Sequence, residues 1–221
     1  VRAYEYPNLD LDIIGEKVNF TCEDLKKIVS QTAFAASTKE VRPVLTAINA
    51  KADGSTIEFV ATDSYRLAKK TYYLKEVVHF NSNIPVKTLN EVSKIVEGGE
   101  VSLTISNTKA VFTYNETNIY SRLIAGDFPK ISGMFPSNYP YILQVNSNKF
   151  ISAMERVSLL AIERENIVKL SVSNEKLEIS SKSEQIGSAN ETIDDYKYTG
   201  DIFEISFNVN YVIDAIKAAQ S

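Results

Sequence analysis

Apolar and polar residues alternate with two periods along this chain, and the order of the periods repeats. Lys17-Val-Asn-Phe20 alternates like a strand. Thr21 then stands at a helix N-cap with Asp24 three residues on, a weak capping box. Leu25, Ile28, Val29, Thr32 and Ala36 follow at helical spacing. Ile84-Pro85-Val86 leads into a second predicted helix through Leu89, Val92, Ile95 and Val96, stopping at Gly98-Gly99. Residues 56–61 and 67–73 alternate as strands between the helices, and 101–106, 110–114 and 118–123 do so after them.

The same order returns roughly 125 residues later. Ile142-Leu-Gln-Val145 is the strand, and Asn146 and Ser147 offer the cap. Phe150, Ala153, Met154, Val157 and Ala161 repeat the helical spacing. Residues 168–173 and 176–181 alternate, and Ser206-Phe-Asn-Val209 leads into a helix through Val212, Ile213, Ile216 and Ala219. The Pro- and Gly-punctuated stretch 128–140 reads as a linker. The fold class is α+β, in repeated domains each with two helices packed on antiparallel sheets. The chain opens at Val1 and stops at Ser221, after the fourth helix. By internal comparison the second unit lacks about three strands, on the order of 35–45 residues. That loss is expected to leave Phe203, Ile205 and Phe207 poorly covered.

Composition narrows the function. The 221 residues are 44% hydrophobic and 24% charged, enough for one large domain or two small ones. No apolar run approaches the roughly 20 residues of a membrane span, and no signal-peptide pattern opens the chain. One cysteine, Cys22, excludes an intramolecular disulfide, and with the single His79 it excludes a thiol-based zinc site. Low cysteine use fits a reducing cytoplasm. The net charge of −4 excludes a uniformly basic nucleic-acid binder but not a locally basic surface. The signs balance up to residue 136, and acids exceed bases after it.

Catalytic chemistry finds little footing. Glu191, Asp194 and Asp195 cluster, but nothing at matching spacing joins them, so they read as an exposed acidic loop or strand. His79 is the sole imidazole, in what reads as a polar loop beside Phe80, which leaves a Ser-His-Asp site unsupported. There is no Walker A sequence and no G-x-G-x-x-G fingerprint. No catalytic residue, metal or cofactor is expected.

Five ordered stretches carry a more specific signal. They are Tyr6-Pro7-Asn8, Val41-Arg-Pro-Val-Leu-Thr46, Val60-Ala-Thr-Asp-Ser-Tyr-Arg-Leu-Ala68, Ser121-Arg-Leu-Ile-Ala-Gly-Asp-Phe-Pro129 and Phe207-Asn-Val-Asn-Tyr211. Together they resemble the bacterial DNA polymerase III beta subunit, the sliding clamp, over essentially the whole chain. The resemblance implies the DNA-clamp fold, with 1–8 ending a first-domain linker, 9–133 a middle domain, 134–140 a linker and 141–221 a truncated third domain. It implies a non-catalytic processivity factor in the cytoplasm. The family's ring joins two chains of three similar domains each. This chain, without a first domain or the C-terminal tail, is not expected to close that ring.

A clamp must hold DNA without fixing it, so scattered helix-borne cations on an acidic protein are the expected signature. Lys26, Lys27, Lys87, Lys94, Lys149, Arg156 and Lys217 sit mostly off the apolar stripes, and Lys39 lies just beyond the first helix. The resemblance implies that they face double-stranded DNA; the plain alternative is solvated helix faces. It further implies partners: a clamp loader, and polymerases and repair proteins that insert short peptides into a groove between the middle and third domains. Leu45, Leu67, Pro129 and Met134 would wall that groove, with Thr62, Ser64, Tyr65, Arg66 and Tyr211 around them. Thr62, Arg66 and Tyr211 can hydrogen-bond a peptide. Asp63 reads as structural, in an Asx-type turn. Gly133 departs from the family, which often has Arg there. Leu159 and Leu160 fall where the ring interface lies, with core packing as the local alternative. Two other classes stay open: a catalytic polymerase or exonuclease subunit, which needs paired acidic residues holding two metals, and a β-rich scaffold without a DNA role.

Overall fold

The computed structural model describes residues 14–161, 166–183, 185 and 187–220. The expected linker at 1–8 lies outside them. The chain divides into two compact units at Pro129/Lys130.

The first unit runs β1 (Glu16–Thr21), α1 (Cys22–Thr32), two 3-10 turns (Ala33–Ala35 and Pro43–Thr46), β2 (Ala47–Thr62), β3 (Leu67–Pro85), α2 (Val86–Ile95), β4 (Glu100–Ile105), β5 (Lys109–Tyr114) and β6 (Thr117–Arg122). One antiparallel sheet has the order β1-β4-β5-β6, and β2 pairs β3. The Thr21 hydroxyl caps α1: it accepts from the Asp24 N–H at 3.0 Å and donates to the Asp24 carboxylate at 2.7 Å. At the other end the Thr32 hydroxyl donates to the Ile28 carbonyl at 2.6 Å, and the chain tightens into a 3-10 turn. Gly15 enters β1 so close to β4 that a Cβ there would lie 1.9 Å from the Ile105 carbonyl oxygen.

Leu25, Ile28, Val29, Thr32 and Ala36 are all buried, as their spacing predicts. Ile95 is a correction. It ends α2 and is 45% exposed, because the chain turns extended at Val96, which takes the buried place instead. The β2–β3 ribbon is also longer than the alternation at 56–61 and 67–73 suggested. It spans 16 and 19 residues, with a register shift between Gly54 (φ +71°) and Thr56. His79 therefore lies inside β3, not in a loop. The core joins the inner face of β1 to both helices and both sheets. The Phe20 ring meets Phe59 edge-on at 6.0 Å and Tyr72 at 5.1 Å.

The second unit runs β7 (Ile142–Val145), α3 (Ser147–Ser158), β8 (Ile167–Val172), β9 (Leu177–Ser183), β10 (Gly187–Thr192), β11 (Tyr196–Thr199), β12 (Phe203–Asn208) and α4 (Val209–Ala219). Its sheet order is β10-β9-β8-β12, and β7 pairs β11. Side chains cap both helices. Asn146 accepts from the Lys149 N–H at 3.1 Å, and Asn208 from the Asn210 N–H at 3.0 Å. The strand-helix, strands, strand-helix order is thus common to both units. The strand before the first helix differs in partner: β4 for β1, but β11 for β7. Phe150, Ala153, Met154, Val157 and Ala161 are buried against Val168, Leu177 and Ile179. Of the three residues expected to be poorly covered, only Ile205 is exposed. Phe203 and Phe207 pack on the core, and Phe203 also stacks on Tyr141 at 4.7 Å.

Candidate functional site

The turn between β2 and β3 is the most closely organised polar feature of the first unit. Four residues, Asp63 to Arg66, connect the strands, and their own side chains satisfy the backbone. The Thr62 hydroxyl accepts from the Ser64 N–H at 3.1 Å and donates to the Arg66 carbonyl at 2.6 Å. One Asp63 carboxylate oxygen accepts from the Tyr65 and Arg66 N–H groups, both at 2.9 Å. The other accepts from Arg66 Nε at 3.0 Å. Asp63 is thus an Asx-turn residue, as the sequence suggested. Ser64 takes the left-handed conformation (φ +80°) that the turn requires.

This local bonding fixes what the turn presents. Arg66 is held by Asp63, and its guanidinium lies 5.6 Å from the Phe34 ring centroid. Tyr65 projects into solvent, 83% exposed. Leu67 is half-buried, and Leu45, in the Pro43–Thr46 turn, is buried at 3%.

Pro129 is half-buried at the end of a segment that Asn83 ties down. The Asn83 side-chain amide donates to the carbonyls of Ile124 at 3.1 Å and Gly126 at 2.8 Å, and the Asn83 backbone carbonyl accepts from the Ile124 N–H at 2.9 Å. The Asn49 amide in turn donates to Asn83 Oδ1 at 2.9 Å and Asn81 Oδ1 at 2.8 Å. Asn83→Ala removes the three side-chain bonds, to Ile124, Gly126 and Asn49, and should cost about 1–3 kcal/mol. Denaturant unfolding should show the loss, and hydrogen exchange should show amides 124–126 opening first.

Met134 and Tyr211 belong to the second unit. Met134 is 59% exposed, and its N–H closes a turn onto the Ile131 carbonyl at 3.0 Å. Gly133 in that turn has φ +86°, a backbone that a β-carbon-bearing residue such as Arg adopts only with strain. Tyr211 is half-buried in the first turn of α4.

The eight expected DNA-facing cations do lie on or beside the helices, but five are already paired. Lys27 meets Glu23 at 2.8 Å, and Lys94 meets Glu91 at 2.9 Å. Arg156 grips Glu191 with two bonds of 2.6 and 3.1 Å. Lys217 meets Glu155 at 3.1 Å, and Lys149 meets Asp195 at 3.7 Å. Glu191 and Asp195, read as members of an acidic cluster, are thus partners of cations. Among the described residues no group of three or more His, Cys, Asp or Glu side chains is arranged to hold a metal. Leu159 follows α3 at 67% exposure, outside the core, and Leu160 is half-buried. No described helix is long and apolar enough to cross a membrane.

Sequence reasoning missed Phe34 and Asn83. Phe34 lies 32 residues before Arg66 and reads as one more apolar residue after a helix. Asn83 sits in a polar run, Asn81-Ser-Asn83, that gave no sign of burial.

Residues 19–130 match the DNA polymerase III beta subunit central domain, and residues 132–221 match its C-terminal domain. The chain belongs to the DNA polymerase III beta subunit family. It is 36% identical over 219 residues to a beta sliding clamp of Staphylococcus aureus, covering 97% of this chain and 58% of that protein. Clamp structures align with it closely. That of Bacillus subtilis does so with a TM-score of 0.91 and 37% identity, over 99% of this chain and 59% of the other. That of the Streptococcus pneumoniae beta chain does so with a TM-score of 0.92 and 31% identity, over the same shares. The chain therefore spans about three-fifths of the length of these beta subunits.

Proposed function

We propose that this chain is the middle and third-domain portion of a sliding clamp, the non-catalytic processivity factor of DNA polymerase III. The observation that carries this reading is the ordered match of both units, along nearly the whole chain, to the family's central and C-terminal domains. In this reading 9–133 is the middle domain and 141–221 belongs to the third. The full-length protein closes as a homodimer ring around double-stranded DNA after a clamp loader opens it, and it works in the cytoplasm. The helix cations face the duplex, and Leu159 and Leu160 belong to the ring interface.

The same reading assigns peptide docking to Leu45, Thr62, Ser64, Tyr65, Arg66, Leu67 and Pro129, with Met134 and Tyr211 as further members of the set. Partners are polymerases and repair proteins that carry short clamp-binding segments. What supports the assignment is the state of the Thr62–Leu67 turn. It is internally hydrogen-bonded, so the turn's backbone and the Arg66 guanidinium are already in place before a peptide binds.

A chimera tests the function. This sequence is placed over the matching span of a full-length clamp, and primer extension by a replicative polymerase is followed with its loader. Longer products per binding event are expected. Products no longer than those of polymerase alone would refute the reading.

A further inference from the structure

The helix faces of the two units differ in how much of their positive charge is left over. In the first unit Lys27 and Lys94 pair with acids on their own helices, three or four residues away. Among the described residues Lys26, Lys39 and Lys87 make no ion pair, and Lys39 and Lys87 are exposed. Lys87 on α2 borders a concavity that Thr38 and Glu40, the chain neighbours of Lys39, also line.

In the second unit every expected DNA-facing cation is paired, and the pairs are made by the tertiary fold. Arg156 on α3 takes Glu191 of β10 in a two-bond fork, 35 residues away. Lys217 on α4 takes Glu155 on α3, 62 residues away. Lys149 on α3 faces Asp195, after β10. The Arg156 guanidinium holds the Glu191 carboxyl below the usual carboxylate range. The pair is therefore intact at neutral pH and is lost only as the pH falls through that lowered value.

We propose that the two units grip DNA unequally: Lys26, Lys39 and Lys87 make the phosphate contacts, while Glu155, Glu191 and Asp195 hold back the second unit's cations. The proposal rests on the reading that these helix faces meet DNA. A cation that must leave a carboxylate to reach a phosphate exchanges one anion for another. It gains little, and adds little to the counterion release that drives binding. The three acids thus act as positioning residues that keep this face slippery. The acid excess after residue 136 acts in the same direction.

The test uses the 221-residue chain and a fluorescent duplex of about 20 base pairs, read by anisotropy across salt. Lys26→Gln with Lys87→Gln should weaken binding several-fold and flatten the log K against log salt slope by about 2. Lys149→Gln with Arg156→Gln and Lys217→Gln should change it less than about twofold. Glu155→Gln with Glu191→Gln and Asp195→Asn should tighten binding roughly tenfold and steepen the slope by about 2 to 3. Glu76→Gln with Glu116→Gln and Glu175→Gln makes the same change in net charge at exposed sites elsewhere, and should change affinity less than about twofold. If the first pair leaves binding unchanged, the DNA-facing reading fails, and the proposal with it. If that pair weakens binding but freeing the second unit's cations tightens it no more than the control, unequal grip is wrong and the DNA-facing reading survives.

Discussion

Phe20→Ala should destabilise the first unit by about 3–5 kcal/mol, the cost of truncating a fully buried aromatic ring. Phe20 is 1% exposed and stands where β1, β2 and β3 converge. Its ring touches Phe59 and Tyr72, so the substitution removes two aromatic contacts as well as the transferred area. Tyr72 is itself poised: burial and the neighbouring Asp24 carboxylate raise its hydroxyl above the usual tyrosine range, and that hydroxyl donates to Asp24 at 3.3 Å. A cavity beneath it therefore also loosens the capped start of α1. Phe20→Leu, which refills most of the space, should cost clearly less. Hydrogen exchange resolved by residue is the suitable measurement, because a chain of two units need not unfold in one step. Protection should fall across β1, α1 and the β2–β3 ribbon. Unchanged protection there would show that this cluster does not hold the unit together.

Arg66→Ala should weaken docking of a short clamp-binding peptide by about 1–3 kcal/mol, roughly 5- to 150-fold in Kd. The size follows from preorganisation. Asp63 and the Phe34 ring fix the guanidinium in place, so the peptide does not bear the cost of ordering a long side chain. Leu67→Ala should fall in the same range through lost apolar contact, without disturbing the Asp63 turn. Calorimetry with the clamp-binding segment of a replicative polymerase, on a full-length clamp carrying this sequence, measures both. Wild-type affinity in both variants would mean that the peptide binds elsewhere.

Much of the fold could be read from the sequence, where side chains act locally. Thr21, Asn146 and the apolar stripes of α1 and α3 announced their helices because caps and helical spacing are short-range features. The far end of the long ribbon was hidden because residues 47–53 alternate weakly, on small Ala side chains, and in 74–83 the adjacent pairs Lys75-Glu76 and Val77-Val78 and the polar run Asn81-Ser-Asn83 break the alternation. Ile95 misled because a helix can stop one residue before its pattern does. The turn around Arg66 was recognisable from its motif. Neither its contact with Phe34 nor the Asn49–Asn83 network that ties down the segment before Pro129 was, since those contacts are set by strand register and chain return. The pairing of Arg156 with Glu191 and of Lys217 with Glu155 was equally out of reach, because each joins elements distant in sequence.

A ring of the proposed kind holds DNA by enclosure and should let it go only at an end. The most direct test is to load the full-length chimera onto nicked circular DNA, remove free protein at high salt, and then cut the circle once. The clamp is expected to stay on the circle and to leave promptly after linearisation. Loss from the intact circle at the same rate as from linear DNA would contradict enclosure.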